Sequence, residues 1–175
     1  MESEYTTNGL PEHFELFMRL SALPQKMVLL HGMANMPDFI LHDLSHQAFF
    51  NLKKVAYFVD NPDFNCCKGV TGFHEEGECG HNVWQDPDNF NQYMRSLEFN
   101  QKVRQVSLPS LYATNRIDSV VQELSHELEI EQARVYSFPL KYGNHGILLI
   151  ESKNALPSHD FLSQGASLLA FCPVV

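Results

Sequence analysis

The segment NMPDFILHDLSHQAFFNLKKVAYF, residues 35–58, returns without a gap as NRIDSVVQELSHELEIEQARVYSF at residues 115–138. Seven of the 24 positions are identical: Asn35/Asn115, Asp38/Asp118, Leu44/Leu124, Ser45/Ser125, His46/His126, Val55/Val135 and Phe58/Phe138. Others keep their character, among them Ile40/Val120, Leu41/Val121, Asp43/Glu123 and Lys54/Arg134. Ordinary composition gives roughly one or two matches over such a window, so a repeated structural unit is a better reading than coincidence. Such a chain has to place the same elements twice around one core. The repeat organises a fold; it names no reaction.

Each copy opens with a helix, marked by Ile40–Leu44–Ala48 and Val120–Leu124–Leu128 on one face. Asn35 with Asp38, and Asn115 with Asp118, read as shortened capping boxes at the two starts. The helices are expected to reach about residues 50 and 130. Strands follow at Lys54–Val59 and Ala133–Phe138, then polar turns at Asp60–Asn65 and Lys141–Asn144, then returning strands at Gly69–Phe73 and Gly146–Ile150. A helix closes each half, Asp88–Leu97 and Ser158–Phe171, and a further strand is expected between the halves at Val103–Leu108. The result is αββα twice over, an α+β or α/β fold with a central antiparallel sheet flanked by helices. Ahead of it, residues 1–10 form a polar tail. Pro11–Leu23 is amphipathic through Phe14, Phe17, Met18 and Leu20, Pro24 breaks that helix, and Lys26–Met33 adds a short second one. The chain therefore divides into N-terminal tail and helices, residues 1–34, and a single domain, residues 35–175.

Charge and hydropathy exclude several classes of partner. The net charge of −9 argues against a nucleic-acid-binding face, because neutralising phosphates needs clustered Lys and Arg. The densest basic spots, Lys53-Lys54 and Lys102 to Arg104, are too small to serve as one. No stretch approaches the roughly 20 apolar residues of a membrane span, and the acidic start MESEYTTNG is unlike a secretory or transit signal. A cytoplasmic protein is expected, with Cys66, Cys67, Cys79 and Cys172 reduced.

Three local features carry a family resemblance. Phe138-Pro139-Leu140 followed by Gly146-Ile147-Leu148-Leu149 resembles the last hairpin of GAF domains, where a Pro-Leu element precedes a Gly-Val-Leu strand. The helix over Ser158–Phe171, opened by His159-Asp160-Phe161, is similar to that family's terminal helix. Gly77-Glu78-Cys79-Gly80-His81 resembles its Gly-rich turn beside the ligand pocket. The resemblance covers most of residues 35–172. It implies a sensory or regulatory domain, commonly dimeric, with a small-molecule pocket beside the sheet. It also implies a homodimer contact through flanking helices such as Pro11–Leu23. The sequence contains no effector module, so output would pass to a separate protein or to another part of a longer chain.

The chemistry-bearing residues concentrate in CCKGVTGFHEEGECGHNVW, residues 66–84. Cys66, Cys67, His74, Cys79 and His81 are thiolate and imidazole donors of the kind that hold zinc or iron. Their spacing is not that of a zinc knuckle, and adjacent strand residues such as Cys66 and Cys67 face opposite ways. Buried free cysteines also serve as small hydrophobes, which is the competing reading. A thiol-redox role would draw on Cys67 and Cys79. Around this segment Phe73, Trp84, Phe90 and Tyr93 are candidates to wall an apolar ligand pocket, or else to fill a core. Motifs of nucleophile elbows, phosphate loops and dinucleotide turns are missing, so binding is expected ahead of catalysis. The leading expectation is a small-ligand sensor. The alternatives are a metal-binding or thiol-redox protein and a dimeric interaction scaffold.

Overall fold

The computed structural model describes residues 12–30, 32, 33, 35–75 and 82–172. Helix α1 (Glu12–Leu29) precedes α2 (Met36–Ser45), the hairpin β1 (Leu52–Asn61) and β2 (Cys66–His74), and α3 (Pro87–Ser96). Helix α4 (Glu98–Gln105), the two-residue strand β3 (Ser107–Leu108) and α5 (Leu111–Thr114) lead into the second half. That half comprises α6 (Ile117–Glu127), β4 (Arg134–Pro139), β5 (His145–Ser152) and α7 (His159–Ala170). The αββα order thus occurs twice, and the fold is α+β.

The five strands form one open antiparallel sheet in the order β3-β2-β1-β5-β4. The two hairpins of the repeat lie side by side and point the same way, so the second is the first displaced by two strands across the sheet. Alternation along the strands feeds two cores. Val55 and Tyr57 of β1 join Leu148 and Ile150 of β5 beneath α1, α2, α3 and α7. Ala56 and Phe58 join Ile147 and Leu149 beneath α4, α5 and α6. Here the repeat breaks. Helix α2 covers one face of the sheet, whereas its sequence equivalent α6 covers the other. Every residue of α2 is buried, Phe39, Ile40, Leu41 and Leu44 among them, as in a helix sandwiched between the sheet and other helices. Helix α6 buries only Val120 and Leu124 within its span, a one-sided stripe suited to a surface layer.

Several boundaries differ from those expected. Pro24 lies inside a continuous α1, where Leu20 and Leu23 before it and the partly buried Met27 after it anchor the helix to the first core. Helix α2 stops at Ser45, and His46 turns the chain into the extended region with its ring nitrogen accepting from the Ala48 amide at 3.1 Å. Neither capping box forms. Asn35 makes no side-chain cap, and Asn115 instead ends α5 in the left-handed region at φ 52°. By contrast Asp86 does cap α3, accepting from the Asn89 amide at 3.3 Å. Of the strand expected at Val103–Leu108, residues 103–105 close helix α4 and only Ser107–Leu108 is strand, as β3.

Helix α4 explains two glycines of β2. A Cβ on Gly69 would stand 1.8 Å from the Val103 carbonyl oxygen, and one on Gly72 would stand 2.6 Å from a Val103 methyl. The bare backbone lets α4 press directly on the strand. Asn100 then does for the strand what a neighbouring strand would do. Its Oδ1 accepts from the Gly72 amide at 2.9 Å and from Thr71 Oγ1 at 3.2 Å, while its Nδ2 donates to the Met94 carbonyl at 2.7 Å. Asn100 is fully buried. No helix among the described residues is long and apolar enough to cross a membrane.

Candidate functional site

The four aromatics expected to wall a pocket are brought together, but as a packed cluster. Phe73 and Phe90 are buried at 1% and 2% exposure. His42 stands between them, edge-on to Phe73 at 5.2 Å and to Phe90 at 5.1 Å. Phe39 fills the space from α2, 4.6 Å from Phe90 and 5.2 Å from Trp84. Tyr93 completes the edge at 6.4 Å from Phe90. Trp84 is held by its indole N–H, which donates to Asp43 Oδ2 at 2.8 Å. That carboxylate also receives Lys26 at 3.3 Å and has His42 Nδ1 at 3.5 Å. Burial alone would raise the Asp43 carboxyl, but His42, Lys26 and Trp84 together outweigh it and hold the group below its ordinary 3.8. The cluster joins α2, α3 and the segment after β2 into the core.

Of the proposed metal ligands, the three among the described residues, Cys66, Cys67 and His74, are not brought to one place. Cys66 and His74 occupy opposite ends of β2, eight residues apart, or about 26 Å at the rise of an extended strand. Cys67 points into the second core, fully buried, with its thiol pushed up to about 12 by burial and the neighbouring Asp60. Cys66 faces the other way. One ion cannot bridge this set. Cys79 and His81 lie outside the described residues. Among the described residues no group of three or more His, Cys, Asp or Glu is arranged to hold a metal ion.

The space for a ligand is elsewhere. A groove of about 1330 Å³ opens at the end of the sheet where β1 turns into β2. Its walls are the C-terminal half of α1 (Pro24, Met27, Val28), the start of α2 (Asn35 to Asp38) and the end of α7 (Leu168, Ala170, Phe171, Cys172). The sheet contributes Val59, Cys66, Lys68 and Val70, and the β4–β5 turn contributes Leu140 to Tyr142. A second hollow of about 400 Å³ lies between Lys54, His74, Phe99 and Leu128, where the Lys54 ammonium donates to the Glu129 carbonyl at 2.6 Å.

The groove carries an ion pair between the exposed Arg104 and a buried carboxylate. Asp38, 2% exposed, accepts both bonds of Arg104 Nη2 at 2.8 and 2.9 Å. Arg104 Nε also donates to Asn100 Oδ1 at 3.3 Å, which joins the pair to the Thr71–Gly72–Met94 network. Burial raises the Asp38 carboxyl above its ordinary 3.8, although Arg104, Thr71 and Arg95 pull against it. One chain of polar contacts thus links α2, β2, α3 and α4 to a surface open to ligands. At the rim, Tyr142 is 89% exposed and held at φ 60°. An aromatic residue in the left-handed region carries a steric cost of about 1–2 kcal/mol.

Sequence reasoning missed this site because its residues lie far apart in the chain. Asp38 and Arg104 are 66 positions apart, and no periodicity relates them. The one available signal was the basic spot running from Lys102 to Arg104. Comparison with protein-family models, curated proteins and solved structures finds no match to this chain.

Proposed function

We propose that the protein is a cytoplasmic sensory or regulatory domain that binds a small ligand in the groove between α1, α2, α7 and the open end of the sheet. The observation that carries this reading is that Arg104, exposed at the groove, is bonded to the buried Asp38 and Asn100. A ligand that touches Arg104 acts at once on two helices and strand β2, and on α3 through the Met94 carbonyl, which is the coupling a regulatory domain needs. The exposed, strained Tyr142 at the rim supports it further, since strain is retained where function requires a side chain to be presented. An antiparallel sheet between helical layers is also the architecture that the GAF resemblance implies. The three unpaired thiols, Cys66, Cys67 and Cys172, accord with a reducing compartment. The ligand site moves from the aromatic cluster at Phe73, Trp84, Phe90 and Tyr93 to the groove.

The test is a thermal-shift screen of fractionated small-molecule extract from the producing cells. The wild type is expected to gain melting temperature with one fraction, and Ala170→Trp, which fills the groove, is expected to lose that response while keeping a native near-ultraviolet spectrum. An unchanged response in Ala170→Trp would place the ligand elsewhere.

A second reading rests on α1. Among its described side chains Leu20 and Leu23 are the buried ones, worth roughly 1.5–3 kcal/mol each. On the outward side Phe14, Phe17, Met18, Val28 and Leu29 remain 45% to 83% exposed, an apolar stripe along the helix. That stripe favours a homodimer joined through α1. Sedimentation velocity at micromolar concentration is expected to give a dimer for the wild type and a monomer for Phe17→Glu. A monomeric wild type removes this reading.

A further inference from the structure

The groove differs in charge from the rest of the molecule. The chain carries a net −9, yet the groove is lined by four bases, Lys68, Arg95, Arg104 and Lys141, against the single acid Asp38. Asp38 is already neutralised by Arg104. Among the described residues Lys26, Lys53, Lys102, Arg116 and Lys153 each pair with a carboxylate. Lys68, Arg95 and Lys141 make no such pair among those residues, and neither do Arg19, Lys54 and Arg134 away from the groove. Arg104 commits Nη2 and Nε to Asp38 and Asn100, which leaves the two N–H groups of Nη1 without a partner among the described residues. The side-chain amide of Asn35, also at the groove, is a buried donor with no acceptor. These groups are all hydrogen-bond donors. Beside them the lining is apolar: Met27, Met33, Met36, Val59, Val70 and Leu168.

From this juxtaposition we infer that the groove takes a small amphipathic anion, a carboxylate or phosphate head on an apolar body. The inference rests on the ligand-binding reading and gives it a chemical class. The head sits at Arg95, Arg104 and Asn35, where guanidinium groups offer paired donors matched to two anionic oxygens. The body lies along the methionines, whose flexible thioethers adapt to different chain shapes. Binding falls with added salt, because the cations around the head are partly exposed.

Methionine methyl NMR tests this directly, because Met27, Met33 and Met36 line the groove while Met94 of α3 is buried in the core and Met18 lies outside it. Protein labelled at the methionine methyls is titrated separately with decanoate, decyl phosphate and decanol, which share one tail. The expected result is saturable shifts at Met27, Met33 and Met36 with Met18 and Met94 unmoved. Decanoate or decyl phosphate is expected to bind about tenfold tighter than decanol, or about 1.4 kcal/mol, and the tighter of the two anions identifies the head. Arg95→Gln, whose side chain is exposed, is expected to remove most of that advantage with the fold intact. Equal binding of decanol and the anions would overturn the anionic class and leave a ligand groove. Absence of any shift at the three groove methionines would overturn both readings.

Discussion

Asn100 stands where four parts of the molecule meet, and no other side chain does its work. It receives the Gly72 amide and Thr71 hydroxyl, braces Arg104 and donates to the carbonyl at the end of α3. Asn100→Ala removes the partner of a buried amide and a buried hydroxyl together. It is expected to destabilise the fold by about 3 kcal/mol, read as a lower urea midpoint. A loss below about 1 kcal/mol would mean that water replaces the amide without penalty. The two buried carboxyls of α2 have opposite pH signatures. Asp43 has a folded value below its ordinary 3.8, so its contribution is whole above that value and is lost as pH falls through the folded one. Asp38 has a raised folded value, so its contribution is present at low pH and is lost as pH rises through that value. Unfolding free energies measured between about pH 3 and pH 6 are expected to lose their acid-side fall in Asp43→Asn. An unchanged acid limb in that variant would assign the fall to other groups. None of this was legible in the sequence beyond the presence of Asp38, Asp43 and Asn100, since which polar residues become buried is set by contacts across long stretches of chain.

At the scale of elements, sequence patterns succeeded where a single periodicity acted and failed where contacts from another element decided. Both hairpins and the helices α3 and α7 were visible in the alternation, the Asp86-Pro87 start and the apolar spacing. The segment Val103–Leu108 was expected as a strand, a preference that survives only at Ser107–Leu108. The close packing of α4 on Gly69 and Gly72 overrides that preference. Those two glycines separate a rigid obstacle from a yielding one. An added methyl at Gly69 meets the Val103 carbonyl oxygen, whereas one at Gly72 meets the ends of the Val103 and Phe99 side chains. Gly69→Ala is therefore expected to cost upwards of about 3 kcal/mol and Gly72→Ala about 1–2 kcal/mol. Urea unfolding of both variants decides it, and the reverse order would contradict the described seat of α4. Pro24 is the complementary case. A breaker in sequence terms, it sits within α1 because the side chains before and after it are held by the same core.

For the whole molecule, the repeat was legible as order and not as arrangement. Two αββα units were expected, and two occur, but α2 and α6 sit on opposite faces of the sheet. A helix buried on all sides and a helix buried on one side cannot exchange places, and the difference is visible in Phe39-Ile40-Leu41 against Ser119-Val120-Val121. The fold class was therefore readable from the sequence. The candidate site was not, because the aromatic and Cys/His segment at 66–84 drew attention to its unusual composition. In the structure its aromatics are core, while the groove is assembled from residues ordinary in type and scattered from Pro24 to Cys172. The central claim is that this groove holds a small ligand. Native mass spectrometry of untagged protein, purified without chelators, tests it most directly when wild type, Ala170→Trp and Phe90→Leu are compared. The account predicts an additional non-covalent mass on the wild type and on Phe90→Leu, absent from Ala170→Trp. A bare wild-type mass, or an additional mass that survives Ala170→Trp and disappears in Phe90→Leu, would contradict it.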